Sequence, residues 1–305
     1  MLLLIACSKT PDGQDSSTDP TVLPDPTGDP ATVELAGACP MEDDLGGFVV
    51  EISDVSLVDG RVRDGVVPIT VLTEVTALDE CTVFRRENPY CDPGCEVDET
   101  CDLDAQCVAY PSDTDLGTVT VAGLVQDVWM EPVTPGYRYF DTSLPHPALA
   151  PGELVEARFA GIDLHGVGPT PLTSEVEELV VSEGSALTLT WNGDPVARTT
   201  VGLELSIDQH GASPLRILCE FADDGQGEVP VELVDALLGG GVTGFPNATL
   251  TRHTLDRAEH EGACVDFEVM SPVPVSVRVE GYIPCHDDDD CPPTMDCNTE
   301  IELCQ

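Results

Sequence analysis

Apolar and polar residues alternate with a period of two along much of the chain, and this pattern predicts β-strands. In four stretches the apolar residues are two or four positions apart, so they share one face of the predicted strand. These are Val67, Ile69, Val71 and Val75; Leu187, Leu189 and Trp191; Val201, Leu203, Leu205 and Ile207; Val273, Val275, Val277 and Val279. Shorter β-rich runs lie near 47–52, 117–124, 137–141, 153–159, 215–221 and 264–270. Strands with one buried and one wet face are typical of antiparallel sheets packed as a sandwich.

Only one segment predicts a helix. It runs from Pro230 to Leu238, with proline at its start and Gly239 directly after its end. We therefore expect a mostly β fold: an antiparallel β-sandwich body with small disulfide-stapled, cysteine-rich modules. Trp129 and Trp191 are expected to anchor the core of the sandwich.

The charge of the chain is strongly negative. Its 305 residues include 57 Asp plus Glu against 12 Lys plus Arg, which gives a formal net charge of −45. Such a surface repels phosphate backbones and anionic lipid head groups, so we expect no nucleic-acid partner. It attracts Ca²⁺ or basic patches on a partner. A solvated coat that keeps an exported protein soluble, or a halophilic origin, gives the same bias.

Cysteine is the second unusual feature, with 13 residues in the chain. Exported proteins use cysteines at this density as disulfide staples, whereas reduced cytosolic proteins seldom accumulate them. If Cys7 is modified separately, an even number remains to pair, namely Cys39, Cys81, Cys91, Cys95, Cys101, Cys107, Cys219, Cys264, Cys285, Cys291, Cys297 and Cys304. We expect Cys39 to pair with Cys81 and Cys219 with Cys264, each within one β segment.

The other eight cysteines form two clusters with the same spacing. Cys95-x5-Cys101-x5-Cys107 matches Cys291-x5-Cys297-x6-Cys304, and each is preceded by a further cysteine. Segments this short and polar cannot build a core, so cross-links must define their shape. Four cysteines allow three connectivities, of which we expect the interleaved one, first to third and second to fourth.

Neither cluster predicts a metal site. The spacings are not those of zinc modules, and an oxidising compartment removes the thiolates. The acidic run from Asp287 to Asp290 attracts Ca²⁺ but lacks the alternating ligands and central glycine of an EF-hand, so we interpret it as a solvated loop. No cofactor is expected, with calcium as the one open alternative.

The start of the chain resembles an export signal. Leu4-Ile5-Ala6-Cys7 is similar to the bacterial lipobox, in which the cysteine thiol is diacylglyceryl-modified and the signal peptide is cut just before it. A full signal peptide has a basic start and an apolar stretch of about 7–15 residues, so residues 1–7 are interpreted as a partial one begun at an internal Met. Ser8 after the cysteine implies, by the same resemblance, sorting to the outer membrane. No segment approaches the length of a membrane-spanning helix.

The domain organisation follows from these features. Residues 8–36 are rich in Asp, Pro, Ser and Thr, which predicts a disordered tether after the partial signal peptide and lipobox of residues 1–7. A first β segment is expected over 37–115, with a cysteine-rich insert at 81–107. The β-sandwich is expected over 116–283 and a C-terminal cysteine-rich module over 284–305.

The cysteine clusters also carry a family resemblance. A cysteine followed by Asp residues, a Cys-Pro and two further cysteines at intervals of five to six residues resembles the small modules common in exported proteins of myxobacteria and related deltaproteobacteria. The stretch from Ala186 to Leu238 is similar to uncharacterised lipoproteins of that group, through Leu-Thr-Leu-Thr-Trp, Ile-Leu-Cys-Glu-Phe-Ala-Asp-Asp-Gly, and Val-Pro before a short helix. The resemblance covers about half the chain and implies no particular activity.

No catalytic, cofactor-binding or metal motif is recognised. Residues 239–244 satisfy G-x-G-x-x-G, but a helix ends there instead of beginning, so the segment is interpreted as a flexible turn. The six histidines (146, 165, 210, 253, 260 and 286) lie mostly in loop-like sequence and are expected to be solvated.

These observations favour a non-enzymatic lipoprotein at the outer membrane or cell surface. Its expected partners are the membrane, through the lipid on Cys7, and an unidentified extracytoplasmic protein or glycan. Two alternatives stay open: a secreted hydrolase with an unrecognised carboxylate pair, and a calcium-dependent adhesin.

Overall fold

The computed structural model describes residues 23–194, 198–207, 214–242, 246–283, 285–300 and 303–304. The predicted lipobox with Cys7, and residues 8–22 of the predicted tether, lie outside this part of the chain. The described residues form a mostly β protein with several sheets, one α-helix and six disulfides, which confirms the predicted fold class.

The first half of the chain contains ten strands: β1 (Asp44–Ile52), β2 (Ser56–Val62), β3 (Leu72–Leu78), β4 (Cys81–Arg86), β5 (Glu99–Cys101), β6 (Cys107–Ala109), β7 (Val119–Ala122), β8 (Val128–Met130), β9 (Tyr139–Asp141) and β10 (Leu154–Phe159). The second half contains ten more and the helix: β11 (Ile162–Val167), β12 (Glu178–Val181), β13 (Leu187–Thr190), β14 (Thr200–Ser206), β15 (Leu215–Ala222), β16 (Gln226–Val229), α1 (Val231–Gly239), β17 (Asn247–His260), β18 (Ala263–Val279), β19 (Cys297–Asn298) and β20 (Leu303–Cys304). Short 3-10 helices span Pro68–Thr70 and Asp288–Asp290.

A ten-stranded sheet organises the body, in the order β3-β4-β15-β14-β17-β18-β1-β2-β9, with β12 also paired to β18. β1 and β12 run parallel to β18, so the sheet is mixed instead of purely antiparallel. A four-stranded sheet has the order β11-β10-β7-β8, and three two-stranded ribbons complete the fold. Strands from the predicted 37–115 and 116–283 segments share the large sheet. The expected boundary between those segments therefore runs between strands that hydrogen-bond to each other.

The long hairpin of β17 and β18 carries two hydrophobic cores. The two strands, of 14 and 17 residues, pair without interruption from Ala248 opposite Val275 to His260 opposite Ala263. The helix α1 and the β13-β16 ribbon contribute to the first core, which contains Trp191, Leu203, Ile217, Leu233 and Leu250. The four-stranded sheet contributes to the second core, which contains Phe48, Val121, Tyr139, Phe159 and Phe267. The pairing register places the β17 and β18 residues of both cores on the same face of the large sheet.

Between the two cores, this face of β17 is polar. Arg252 is completely buried and donates two hydrogen bonds to Asp223, from Nε at 2.6 Å and from Nη2 at 2.9 Å. Its Nη1 donates to the carbonyl of Thr170 at 3.0 Å, and its Nη2 also donates to the carbonyl of Asn192. A buried guanidinium is tolerated only when its donors are satisfied. We call this set of groups the polar seam.

Asp223 is the anion of the polar seam. Its carboxylate also accepts hydrogen bonds from Trp191 Nε1 at 2.9 Å and from Thr199 Oγ1 at 2.6 Å. Burial opposes the charge, but the hydrogen bonds from Arg252, Thr199 and Trp191 outweigh it and lower the pKa of Asp223. Asp223 therefore stays ionised opposite Arg252.

Two disulfides join distant parts of the body, and both differ from the predicted pairing. Cys39 bonds to Cys264 and Cys81 bonds to Cys219, so the expected Cys39–Cys81 and Cys219–Cys264 pairs are wrong. The reason is topological: β4 lies beside β15 in the sheet, which places Cys81 directly opposite Cys219. Both bonds close loops of more than 100 residues, for which chain entropy alone stabilises the fold by about 4–5 kcal/mol.

The two cysteine clusters have the interleaved connectivity that their spacing predicts. Cys91–Cys101 and Cys95–Cys107 close the first module, and Cys285–Cys297 and Cys291–Cys304 close the second. Each module contains a two-stranded ribbon in which the third and fourth cysteines lie directly opposite each other. The modules are therefore two copies of one small fold. Six disulfides indicate an oxidising, extracytoplasmic environment.

After the third cysteine, the described residues of the two modules begin their turns in the same way. The residue after the third cysteine is Asp102 in one and Asn298 in the other. Asp102 Oδ1 accepts hydrogen bonds from the backbone N–H groups of Asp104 and Gln106, and Asn298 Oδ1 accepts one from Glu300. Side chains that bond backbone groups two residues on are typical of Asx turns. This turn completes the shape that the disulfides define.

The N-terminal segment of the described chain lies against the body. We call residues 23–38 the strap. Thr27, Ala36 and Gly37 donate backbone hydrogen bonds to body residues, and arginine side chains of the body donate to carbonyls of the strap. The disordered tether expected over 8–36 therefore does not extend to residues 23–36, because their peptide groups find specific partners that composition does not reveal.

Two further expectations about the core are corrected. Trp191 is buried, but the Trp129 side chain lies on the surface with 42% of the residue exposed. The alternation from Val67 to Val75 does not form one buried strand face. A 3-10 turn interrupts it at Pro68–Thr70, and Ile69 and Val75 are exposed. The helix prediction is confirmed to within one residue, with Pro230 at the N-cap.

The polar seam predicts a large difference between two neighbouring aspartates. Asp223→Asn removes the hydrogen-bonded ionised partner of a buried guanidinium and leaves Asp194 Oδ2 at 3.8 Å from Arg252 Nε, so we expect it to lower the free energy of unfolding by about 2–4 kcal/mol. Asp224→Asn is the matched control, because Asp224 is exposed, and we expect a change below about 0.5 kcal/mol. Denaturant unfolding of the oxidised protein measures both. Equal effects would contradict the role of Asp223.

Candidate functional site

Ionisable side chains form a row across the face of the large sheet opposite the two cores. Asp44 on β1, Asp266 and Glu268 on β18, His253 on β17 and Glu220 on β15 follow one another along it. The pairing register places the β17 and β18 members on the face opposite Val265 and Phe267. We call these five residues the acidic row. Three of its members, Glu220, His253 and Asp266, have shifted pKa values and lie in one connected group, which makes the row the candidate site.

His253 is held between two carboxylates. Its Nδ1 lies 2.6 Å from Glu268 Oε1, and its Nε2 lies 2.8 Å from Glu220 Oε1. Gly202 on β14 lies between them. A Cβ there would be in ordinary van der Waals contact, 3.6 Å from both His253 Cε1 and Glu220 Oε2, so only a larger side chain would meet this pair. The histidine thus reaches across one whole strand to Glu220.

This arrangement fixes the charge of the imidazole. Burial opposes protonation of His253, but the hydrogen bonds and charges of Glu220 and Glu268 outweigh it and raise its pKa to about 9. The same contact outweighs burial at Glu220 and lowers its pKa. Both ring nitrogens are engaged, so at neutral pH His253 acts as a bridging cation and has no free nitrogen to accept a proton.

Asp266 has the opposite character. Burial together with the nearby charges of Asp44 and Glu268 raises its pKa to about 7. Gly47 leaves the space for this side chain, because a Cβ at that position would lie 2.4 Å from Asp266 Oδ1. Asp266 therefore exchanges its proton near neutral pH. The acidic row holds one permanent cation and one carboxyl group that changes charge in the physiological range.

A separate acidic cavity lies beside the Cys81–Cys219 disulfide. It has a volume of about 340 Å³, and its wall includes Asp79, Glu80, Asp224, Glu228 and the ring of Phe221. Asp79, Glu80, Asp224 and Glu228 are solvent-exposed. The lining contains no arginine, lysine or histidine. Its charge favours cationic groups over anionic ones.

The predicted site residues are not brought together into a metal centre. Within the described ranges, every group of three His, Cys, Asp or Glu ligand atoms lying within 4.8 Å of one another includes a disulfide-bonded cysteine. The run from Asp287 to Asp290 is exposed, as expected, and its carboxylates serve the module. Asp288 accepts a hydrogen bond from Cys297 N, and Asp290 accepts one from His286 N.

The histidines are less solvated than their sequence context suggests. His165, His253 and His260 lie on strands, and only 7% of His253 is exposed, so the loop interpretation is wrong for these three. His210 lies outside the described residues. Gly239 ends α1 as expected, and residues 243 and 244 of the glycine motif are not among those described. The acidic row escaped sequence reasoning because its members come from four strands.

No protein-family model matches the chain, and no curated protein is significantly similar to it. Among the described residues, no helix combines the length and the apolar character that crossing a membrane requires.

The charge of His253 predicts a pH dependence of stability. Its folded pKa is raised above the unfolded value of about 6.5, so its contribution is fully present below pH 6.5 and is lost as pH rises through about 9. We expect His253→Gln to cost about 2–3 kcal/mol at pH 6 and little at pH 10. Unfolding measured over this range checks it. His260→Gln, at the end of the same strand, is the matched control, and an equal pH dependence of the two variants would contradict the role assigned to His253.

Asp266 predicts a different window. Because its folded pKa is raised from 3.8 to about 7, the protonated form is favoured by folding, and stability is lost as pH rises from about 4 through 7. Asp266→Asn should therefore stabilise the protein by about 1–3 kcal/mol at pH 8 and give no gain at pH 4. Asp43→Asn, on an exposed neighbour, is the matched control, and an equal gain at pH 8 in both variants would contradict the role assigned to Asp266. Melting curves at both pH values test the sign.

Proposed function

We propose that the protein is a non-enzymatic lipoprotein of the outer membrane or cell surface, tethered by lipid on Cys7, whose β body serves a binding or structural role. The pairing of the cysteines carries this proposal. Twelve of the 13 cysteines bond to one another, which leaves no cysteine of the same chain for Cys7. A thiol set apart in this way, at a lipobox-like sequence, is available for lipid.

The distribution of charge supports a cationic partner. Eight of the eleven arginines donate to carboxylates or carbonyls of the chain itself: Arg63, Arg138, Arg158, Arg198, Arg216, Arg252, Arg257 and Arg278. Asp and Glu outnumber Lys and Arg by 57 to 12 in the whole chain, so negative charge is in large excess. A body of this kind attracts a basic patch on an extracytoplasmic protein and repels anionic polymers.

The strap is consistent with a tether. The residues that follow Cys7 lead to the strap, and the strap leads to the Cys39–Cys264 disulfide at the start of β18. A lipid on Cys7 would therefore be connected to the body both by the polypeptide and by a covalent cross-link into the large sheet.

The test is the mass of the mature protein, isolated from cells without reduction. We expect a lipid-modified Cys7, six disulfides and no free thiol. Cys7→Ser should move nearly all of the protein from the membrane fraction to the soluble fraction, whereas the neighbouring substitution Ser8→Ala should leave it membrane-bound. An unmodified Cys7 thiol in the mature wild-type protein would refute the lipid anchor.

A further inference from the structure

The first cysteine-rich module carries a group of exposed apolar side chains. Four large ones lie within residues 90–110, namely Tyr90, Val97, Leu103 and Tyr110, and we call them the apolar quartet. Val97 is 98% exposed and Tyr90 is 80% exposed, the two highest values among the large apolar residues that the structure describes. A single apolar residue on a surface needs no explanation, whereas a group of them is typical of an interaction site.

The quartet lies around the short ribbon of β5 and β6. The N–H of Tyr110 donates to the carbonyl of Asp98 at 2.9 Å, which brings Tyr110 near Val97 at the open end of the ribbon. Leu103 lies in the turn at the other end, and the first disulfide of the module brings Tyr90 to that end. Because a ribbon of three residues is only about 10 Å long, one partner can contact both ends at once.

The second module shows that the shared fold does not require these side chains. At three aligned positions its residues are proline or threonine: Pro284 for Tyr90, Pro293 for Val97 and Thr299 for Leu103. The interleaved disulfides and the two-stranded ribbon nevertheless form in both modules. Folding of the module therefore does not account for the apolar side chains at these positions.

Negative charge accompanies the quartet. Residues 90–110 contain no lysine, arginine or histidine and six acidic residues, which are Asp92, Glu96, Asp98, Glu99, Asp102 and Asp104. All of them except Asp102 are exposed. Apolar side chains among carboxylates complement a protein surface on which lysine or arginine surrounds an apolar centre. The same charge repels anionic lipid head groups and anionic polymers.

From this arrangement we propose that the first module is the docking surface for an extracytoplasmic protein whose contact face is apolar and basic. The inference rests on the binding role proposed above and gives that role a place in the chain. Tyrosine is among the residues that contribute most to binding at protein interfaces, so Tyr90 and Tyr110 are the expected anchors. Two disulfides and the Asp102 turn hold the module in shape, so docking costs little conformational entropy.

Photo-crosslinking on intact cells tests whether a protein occupies this surface. Benzoylphenylalanine is placed at position 97 in one full-length variant and at the aligned position 293 in the other, which is the matched control. We expect a crosslinked protein from position 97 that is absent from position 293, with lysine or arginine in the contacted peptide. A crosslink to a second copy of the chain, a contacted peptide without basic residues, the same product from both positions, or no product at position 97 would overturn the proposal.

Titration of the purified crosslinked partner then measures what the quartet contributes. We expect Tyr90→Ser with Tyr110→Ser to raise the Kd at least about tenfold. Tyr282→Ser, which removes an exposed tyrosine close to the second module, should leave the Kd unchanged. Added salt should weaken binding, because the carboxylates are exposed and their attraction is screened. Equal Kd values for the wild type and the double variant would contradict the docking surface.

Two further variants keep the result interpretable. If the double variant does not form its six disulfides, Val97→Ser takes its place, because a side chain that is 98% exposed has few contacts to lose, and we expect it to raise the Kd at least about threefold. Cys7→Ser should bind with the wild-type Kd. Failure of the lipid anchor and failure of the docking surface are therefore separate results.

Discussion

A buried guanidinium has to find inside the protein every hydrogen bond that it gives up in water, and this requirement organises the body. Arg252 meets it with Asp223 and with carbonyls of Thr170 and Asn192, which lie on loops outside its own strand. Those loops are therefore fixed relative to β17. Because the polar seam lies between the two cores on one face of a continuous hairpin, the position of each core relative to the other depends on it. Loss of Asp223 would leave the buried guanidinium with Asp194 Oδ2, at 3.8 Å from Arg252 Nε, as its remaining carboxylate neighbour.

The same seam explains where sequence reasoning succeeded and where it failed. Strands whose buried face is wholly apolar, such as β14 with Val201, Leu203 and Leu205, were predicted from alternation alone. β17 was missed, although it is one of the two longest strands, because its buried face includes Arg252 and Asp256. β18 was recognised only as two shorter runs, 264–270 and 273–279, with Pro272 between them and Pro274 inside the second. These prolines lie between the stretches that pair with β1 and β12, where β18 has a single neighbour.

Cysteine pairs within a module were predicted correctly, whereas the two long-range pairs were not. Within each module the cysteines were expected to pair with one another, because a short loop brings them together, and the interleaved order, expected among three possible ones, is the one observed. The long-range pairs depend on which strands become neighbours, and a parallel β1–β18 pair and a β4–β15 pair cannot be read from local pattern. The acidic row is likewise a product of sheet order, since Glu220 and Glu268 come from strands that do not neighbour each other and meet only through His253. Pairing within a short segment could be predicted from the sequence, but the order of the strands in the sheet could not.

The Cys39–Cys264 bond also decides how the protein bears mechanical load. Tension applied at the N-terminus would first reach the strap, whose surface hydrogen bonds can separate one after another, and would then meet a covalent bond. That bond transmits the force to the start of β18, which lies between β1 and β17. An edge strand, which could separate one hydrogen bond at a time, does not receive it. Rupture of the sheet would then require many backbone hydrogen bonds of β18 to break together. Only the segment that precedes the Cys39–Cys264 disulfide can therefore extend under load.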